Sequence, residues 1–344
     1  MGLYTDILKP ILFQFPPEKA QKLGELALSA SPIWKALGPL FATKNPILKT
    51  RVAGIELPSP IGLAAGYDKN CHSLQSLSQL GFGYIIGGTI VSKERYGNPK
   101  PRIVRIPEDK ALANSLGFPS EGLSKVLQNI HGQIPIKIPL FLSISGVSEE
   151  ELLECYTAQA VCSAIELNIS SPNTEGIRIF QDPKVLKDLL QSISTFKRNP
   201  LFIKLPPFFG TKQITNTFKL IDICLEYGVD GVTVANTWPI ADSRLAVGRG
   251  GLSGRPLIKQ TLDMVRNIRD YSGSKLIINA CGGISSGQDA IQALAAGANT
   301  IQLYTAFIYE GPGLIKRINE YIVDFIERND LDSLESIPAF FRNK

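Results

Sequence analysis

Between residues 60 and 303 the chain alternates short β-prone apolar runs with longer amphipathic stretches, and no other feature narrows its fold so far. The runs are Pro60–Leu63, Tyr84–Ile86, Pro139–Leu142, Ile165–Leu167, Leu201–Lys204, Gly231–Val234, Lys275–Ile278 and Thr300–Leu303. Several intervening stretches open with helix-start chemistry. Ser148 before Glu149-Glu150-Glu151, and Ser286 before Gly287-Gln288-Asp289, place a hydroxyl where the first backbone N–H groups lack partners. A crossover helix returns the chain to the same end of the sheet, so repeated strand–helix units give parallel strands. Eight of them predict an α/β chain folded as a (β/α)8 TIM barrel, with a doubly wound open sheet as the alternative. At 344 residues and 44% hydrophobic, the chain has enough apolar material for one large core.

Two stretches exceed a minimal barrel. Val91 to Lys137, between the second and third runs, is long and rich in Gly and Pro, and is expected to fold over the barrel mouth as a covering loop or hairpin. Residues 1–45 precede the barrel, which takes 46–344, and form a helical extension. Its apolar stripes are Ile7, Leu8, Ile11 and Leu12, then Leu23, Leu26 and Ala27, with Pro16-Pro17 between them and Ile33, Trp34, Leu37, Leu40 and Phe41 beyond. The extension either docks on the barrel or serves as a monotopic membrane foot, with Phe13, Phe15, Trp34 and Phe41 entering the lipid boundary. The second reading predicts peripheral contact with a bilayer and, without a transit segment or spanning run, the cytoplasmic face of a bacterial inner membrane.

Other partners find little support. The net charge of +5 is scattered, which disfavours nucleic acid. Cys71, Cys155, Cys162, Cys224 and Cys281 form no C-x-x-C pair, and only His72 and His131 are available to join them, so neither a metal site nor an iron–sulfur partner is expected.

Barrel chemistry gathers where strands end, and here the runs end in polar groups. They include Ala64-Ala65-Gly66-Tyr67-Asp68-Lys69-Asn70, Gly87-Gly88-Thr89, Ser143-Ile144-Ser145-Gly146, Asn168 to Thr174, Lys204, Ala235-Asn236-Thr237, Cys281-Gly282-Gly283 and Tyr304-Thr305. Carboxamides both donate and accept, so Asn168-Ile169-Ser170-Ser171-Pro172-Asn173-Thr174 suits a small planar substrate with amide-like and carboxylate groups. Gly282-Gly283, Tyr304-Thr305 and a loop at Gly250–Gly254 suit a phosphate. With no G-x-G-x-x-G opening a βαβ unit, a mononucleotide flavin fits better than a nicotinamide, and Lys69 or Lys204 can sit near its ring.

These residues, quoted as LFQFPPEKA, GLAAGYDKN, GNPKPRIVRIPEDKALAN, LNISSPNT, GGLSGRPL and GGISSGQDAIQALAAGANTIQLYTAFIYEGPGL, resemble the dihydroorotate dehydrogenases, specifically their quinone-dependent, membrane-associated class. The resemblance implies FMN, oxidation of dihydroorotate to orotate in pyrimidine synthesis, and a membrane quinone as acceptor. It implies Ser171 as catalytic base, and Lys69, Asn114, Leu116, Gly117, Phe118, Asn168, Asn173, Asn236 and Thr237 around the substrate. For FMN it implies Ala64, Ala65, Gly66, Thr89, Asn168, Lys204, Ser253, Gly254, Gly282, Gly283, Tyr304 and Thr305. Arg105 and Tyr304 would line a quinone tunnel. Thr174 and a water near Phe118 are the expected proton relay for Ser171.

Some positions depart from that class. Ser115-Leu116-Gly117-Phe118-Pro119-Ser120 is closer to the soluble class, Ser143 to Gly146 replaces a segment that usually carries an Asn, and Ala235 and Trp238 flank Asn236-Thr237 where small hydroxyl residues are usual. A related FMN barrel oxidoreductase acting on another cyclic amide, or with another acceptor, is the alternative. A catalytically silent phosphate- or membrane-binding barrel is a third reading.

Overall fold

The computed structural model describes residues 2–171 and 176–342. Eight parallel strands close in sequence order: β1 (Ile61–Leu63), β2 (Tyr84–Ile90), β3 (Leu140–Ile144), β4 (Ala164–Asn168), β5 (Leu201–Lys204), β6 (Gly231–Val234), β7 (Ile277–Cys281) and β8 (Thr300–Leu303). Closure comes from β8 pairing with β1, Ile301 opposite Ile61 and Leu303 opposite Leu63, which makes the fold a (β/α)8 barrel and removes the open sheet. Strand β7 starts two residues later than its apolar run, because the Lys275 N–H is still bound to Ser272 O in the preceding turn.

The helices form because their apolar residues share one face and their ends are satisfied. Pro183–Ser194 buries Leu186, Leu189, Leu190 and Ile193 against the barrel, while Asp182 accepts the Lys184 and Val185 N–H groups. Each such leucine contributes about 1.5–3 kcal/mol relative to full exposure. The expected starts at Ser148 and Ser286 are real caps, accepting from Glu151 N and Asp289 N.

A short hairpin, Thr50–Val52 with Ile55–Leu57, seals the amino end of the barrel. Its Val52 and Leu57 join Tyr84, Ile86, Phe141, Ala164 and Phe202 in an apolar plug. Gly62 is required there, since a Cβ would lie 2.3 Å from the Tyr84 ring.

At the opposite end a four-stranded antiparallel sheet roofs the mouth, in the order Trp238–Ala241, Arg249–Gly254, Ala111–Asn114, Ile103–Ile106. The last two strands are the expected hairpin from the Val91–Lys137 stretch. The expected loop at Gly250–Gly254 is instead strand, paired Gly251 to Asn114 and Gly254 to Ala111. The glycines serve close approach, because a Cβ on Gly250 would sit 2.5 Å from Asn114 O.

The N-terminal helices Lys9–Phe13, Pro17–Ser29 and Ser31–Phe41 lie against this end and are docked. Tyr4 Oη donates to Ile308 O at 2.6 Å, Arg102 Nε donates to Glu18 Oε1 at 2.9 Å, and Leu28 is buried in the main core. Three of the four aromatics that a membrane foot would place in lipid turn inward. Phe13 packs under the Arg105 guanidinium at 4.4 Å and edge-on to Tyr309, while Trp34 and Phe41 pack on the core, with Trp34 Nε1 donating to Ala27 O. Each gains a cation, ring or carbonyl partner that lipid would not supply. Phe15 remains exposed, as do Leu3, Leu26, Ile33 and Leu40. No helix among the described residues is long and apolar enough to cross a membrane.

Candidate functional site

Strand β4 ends on Asn168, whose side chain organises the mouth. Its Nδ2 donates to Thr89 Oγ1 (3.1 Å), and Thr89 Oγ1 is 2.9 Å from Ser143 Oγ. Asn168 Oδ1 accepts from Ser170 N (3.3 Å) and from Asn236 Nδ2 (3.2 Å), and Asn236 Nδ2 also donates to Ser170 Oγ (3.0 Å). Asn236 Oδ1 in turn accepts the Thr237 N–H at 2.8 Å. Two carboxamides from β4 and from the end of β6 are thus locked in one orientation beside Ser171, which is buried. Ser145 fastens this turn from below by donating to Asn168 O at 2.7 Å.

A cavity of about 1070 Å³ opens here. Ser171, Lys69, Asn114, Asn168, Asn236 and Thr237 line it together, with Leu116, Gly117 and Phe118 descending from the roof. Burial pulls the Lys69 ammonium below its ordinary pKa, with Glu25 and Asp68 opposing. Asn173 and Thr174 lie outside the described residues. Trp238 is not a wall of the cavity; it packs edge-on against Phe209 outside it, whereas Ala235 does line it.

The far wall is built of small groups. Ala64, Ala65, Gly66 and Thr89 come from β1 and β2, Ser253 and Gly254 from the roof, Gly282 and Gly283 from β7, and Tyr304 and Thr305 from β8. Gly282 and Gly283 have φ of +137° and +76°, and a Cβ on Gly283 would meet Ile258 N at 2.2 Å. Thr305 Oγ1 donates to Ser253 Oγ at 2.9 Å. Close-approach glycines beside two hydroxyls and a helix start suit a phosphate. Above them, buried Lys204 and the amides of Asn168 and Gln302 face the same space, and Gln302 Oε1 has no hydrogen-bond partner among the described residues. An orphaned buried acceptor beside a lysine fits a ring that carries N–H and C=O groups, so the donor set accommodates a flavin mononucleotide.

From this polar chamber the cavity continues between the N-terminal helices, past Tyr304 and Arg105 to Leu12, Leu37 and Phe41. Arg105 holds the arm's roof by donating to Phe13 O and Phe15 O at 3.3 and 2.8 Å. Burial raises the Tyr304 phenol to about 12, so it stays protonated; its Oη is 3.3 Å from Gly66 O. Sequence reasoning missed Gln302 in these walls, and it placed Tyr67 and Cys281 at strand ends without giving either a role. Gln302 and Cys281 belong to strands whose inward positions show only once the barrel register is known.

These features define a (β/α)8-barrel enzyme with a roofed polar chamber, a phosphate-type cradle and an apolar arm reaching its N-terminal helices. A family model described as Dihydroorotate dehydrogenase matches residues 47–326. The dihydroorotate dehydrogenase (quinone) of Corynebacterium striatum is 32% identical over 352 residues, with 97% of each chain covered. That of Methylococcus capsulatus is 35% identical, covering 93% of this chain and 99% of its own. A crystal structure of the Eimeria tenella dihydroorotate dehydrogenase in complex with ferulenol superposes with a TM-score of 0.79 at 27% identity, covering 93% of this chain and 94% of that one. The chain belongs to the dihydroorotate dehydrogenase family.

Proposed function

We propose that this protein oxidises dihydroorotate to orotate, with FMN resident in the cavity and a membrane quinone as the final acceptor. The observation that carries the reading is the convergence of Ser171, Lys69, Asn114, Asn168, Asn236 and Thr237 on one chamber that also holds the glycine cradle. The reaction removes a proton from one ring carbon and a hydride from its neighbour. FMN, when bound, supplies the hydride acceptor.

The chain's own residues align and deprotonate. Asn168 and Asn236, locked by their mutual hydrogen bond, present fixed amide edges to the substrate's ring, and Asn114 approaches from the roof. Ser171 takes the ring proton. A serine hydroxyl is a poor base, so its own proton must pass on as the new one arrives. Phe118 and the roof strands exclude bulk water from that exchange. Lys69 counters the carboxylate of the substrate.

The apolar arm is the quinone path, and the exposed face around Leu3, Leu26, Ile33 and Leu40 is the membrane contact, on the cytoplasmic side of a bacterial inner membrane. In this reading residues 1–45 are the membrane-associating unit and 46–344 the FMN barrel. An anaerobic spectrum of the purified protein tests the reaction: dihydroorotate bleaches a yellow chromophore, and a soluble quinone restores it. A colourless protein, or a chromophore indifferent to dihydroorotate, refutes the reading. Flotation with anionic liposomes tests the contact, which Leu26→Glu with Leu40→Glu should abolish.

A further inference from the structure

Barrel interiors are usually filled by layers of branched apolar side chains. This one carries a polar column. Thr233 Oγ1 donates to Glu166 Oε2 at 2.7 Å and accepts from Gln302 Nε2 at 3.2 Å and Asn279 Nδ2 at 3.4 Å. Thr300 Oγ1 donates to Asn279 Oδ1 at 2.6 Å and lies 2.7 Å from Tyr84 Oη at the barrel floor. At the top, Glu166 Oε1 is 3.7 Å from Lys204 Nζ and has no hydrogen-bond partner among the described residues. Glu166 is 0% exposed and Lys204 6%.

We infer that Glu166 is a positioning residue that keeps Lys204 charged and fixed at the barrel mouth, so that the ligand on that wall always meets an ammonium. The inference rests on the FMN reading above for the identity of that ligand. A lone carboxylate or ammonium at this depth is costly, and each is tolerated because the other is present. Thr233 and Gln302 hold the Oε2 side of the carboxylate, which leaves Oε1 turned to the lysine. The groups facing Lys204 are Glu166 from β4 and Cys281 from β7. Burial alone would depress the Lys204 pKa, and Glu166 more than reverses it. Lys69, which lines the same cavity, answers to other charges, Glu25, Asp68, Arg102 and Glu18, and not to Glu166.

Removing the Glu166 charge leaves burial dominant, so the Lys204 pKa falls below its ordinary value and the proton passes to solvent at a lower pH than in the parent. The test uses the holoprotein and its Glu166→Gln, Glu166→Asp and Lys204→Met variants, and measures FMN dissociation by flavin fluorescence from about pH 7 to 9, above the second ionisation of the FMN phosphate. The parent profile should be flat. For Glu166→Gln the dissociation constant should climb about tenfold per pH unit above the lowered lysine pKa, levelling at the Lys204→Met value. Glu166→Asp should restore the flat profile, which a merely structural role would not predict.

Thermal unfolding gives a flavin-independent readout. In Glu166→Gln the folded-state lysine pKa lies below its unfolded value, so stability rises with pH between the two and the Tm deficit against the parent narrows as pH increases. Should Glu166→Gln fail to fold, the Glu166→Gln/Lys204→Met double variant, which leaves no unpaired charge, should fold. A Glu166→Gln protein with the parent's flat flavin profile and a pH-independent Tm difference overturns the assignment, as does a double variant no more stable than Glu166→Gln. A parent without flavin overturns the FMN reading instead, and the Tm profile then decides on Glu166.

Discussion

Replacing Asn236 by Asp sets an acceptor where the site requires a donor. Asn236 Nδ2 supplies hydrogen bonds to Asn168 Oδ1 at 3.2 Å and to Ser170 Oγ at 3.0 Å. A carboxylate oxygen there would face another oxygen at the first of these distances. Asn168 cannot relieve the clash by rotating its amide without cost, because its present orientation also satisfies Thr89 Oγ1 through Nδ2 and the Ser170 N–H through Oδ1. The substitution therefore leaves at least one buried polar group unsatisfied, about 1–3 kcal/mol. If that cost falls on the aligned complex, kcat/KM for dihydroorotate should drop about 5- to 150-fold. Asn236→Ala, which deletes the donors without adding an opposed oxygen, should lose less. Steady-state dihydroorotate oxidation with a soluble quinone measures both. An Asp variant within about twofold of the parent would refute the idea that the Asn168–Asn236 lock aligns the substrate.

Three further outcomes follow from the geometry. Gly283→Ala places a Cβ 2.2 Å from Ile258 N at a φ of +76°, so the protein should purify with substantially less bound flavin, read from its visible-to-ultraviolet absorbance ratio. Arg105→Met removes the donors to Phe13 O and Phe15 O, so the quinone KM should rise several-fold while the dihydroorotate KM is unchanged, and proteolysis near residue 14 should accelerate. The Glu121 carboxyl is held below its ordinary value of 4.5 against the opposing effect of burial, by hydrogen bonds from His72 and Asn129. A depressed carboxyl stabilises above its unfolded pKa and loses that contribution as pH falls through the folded one. Glu121→Gln should therefore lower Tm slightly at pH 7, with the gap closing below about pH 4.5 in a thermal-shift series.

The barrel was legible because eight apolar runs with polar ends are a local signal, and β5, β6 and β8 coincide with their runs to the residue. The strand-end groups were legible for the same reason: the backbone that ends a strand also sets where the next side chains point. What stayed hidden depends on pairing between distant segments. Arg249–Gly254 looked like a glycine loop because nothing nearby reveals its partner Ala111–Asn114. Glu166 was counted within an apolar run, and its role emerges only when Lys204 on the neighbouring strand and Thr233 beyond it are brought to the same face. Phe13, Trp34 and Phe41 lie in an extension whose apolar pattern fits docking and lipid alike, and only their tertiary partners decide that they turn in.

The covering sheet is sewn from two excursions that leave the barrel after different strands, and their seam pairs Gly251 with Asn114. Strand side chains alternate in direction, so a single-residue slip of Ala111–Asn114 along this seam would swing Asn114 away from the chamber. A one-residue slip of either strand also breaks the pairing of Gly251 with Asn114, so the two excursions are held to matching lengths by the seam they share.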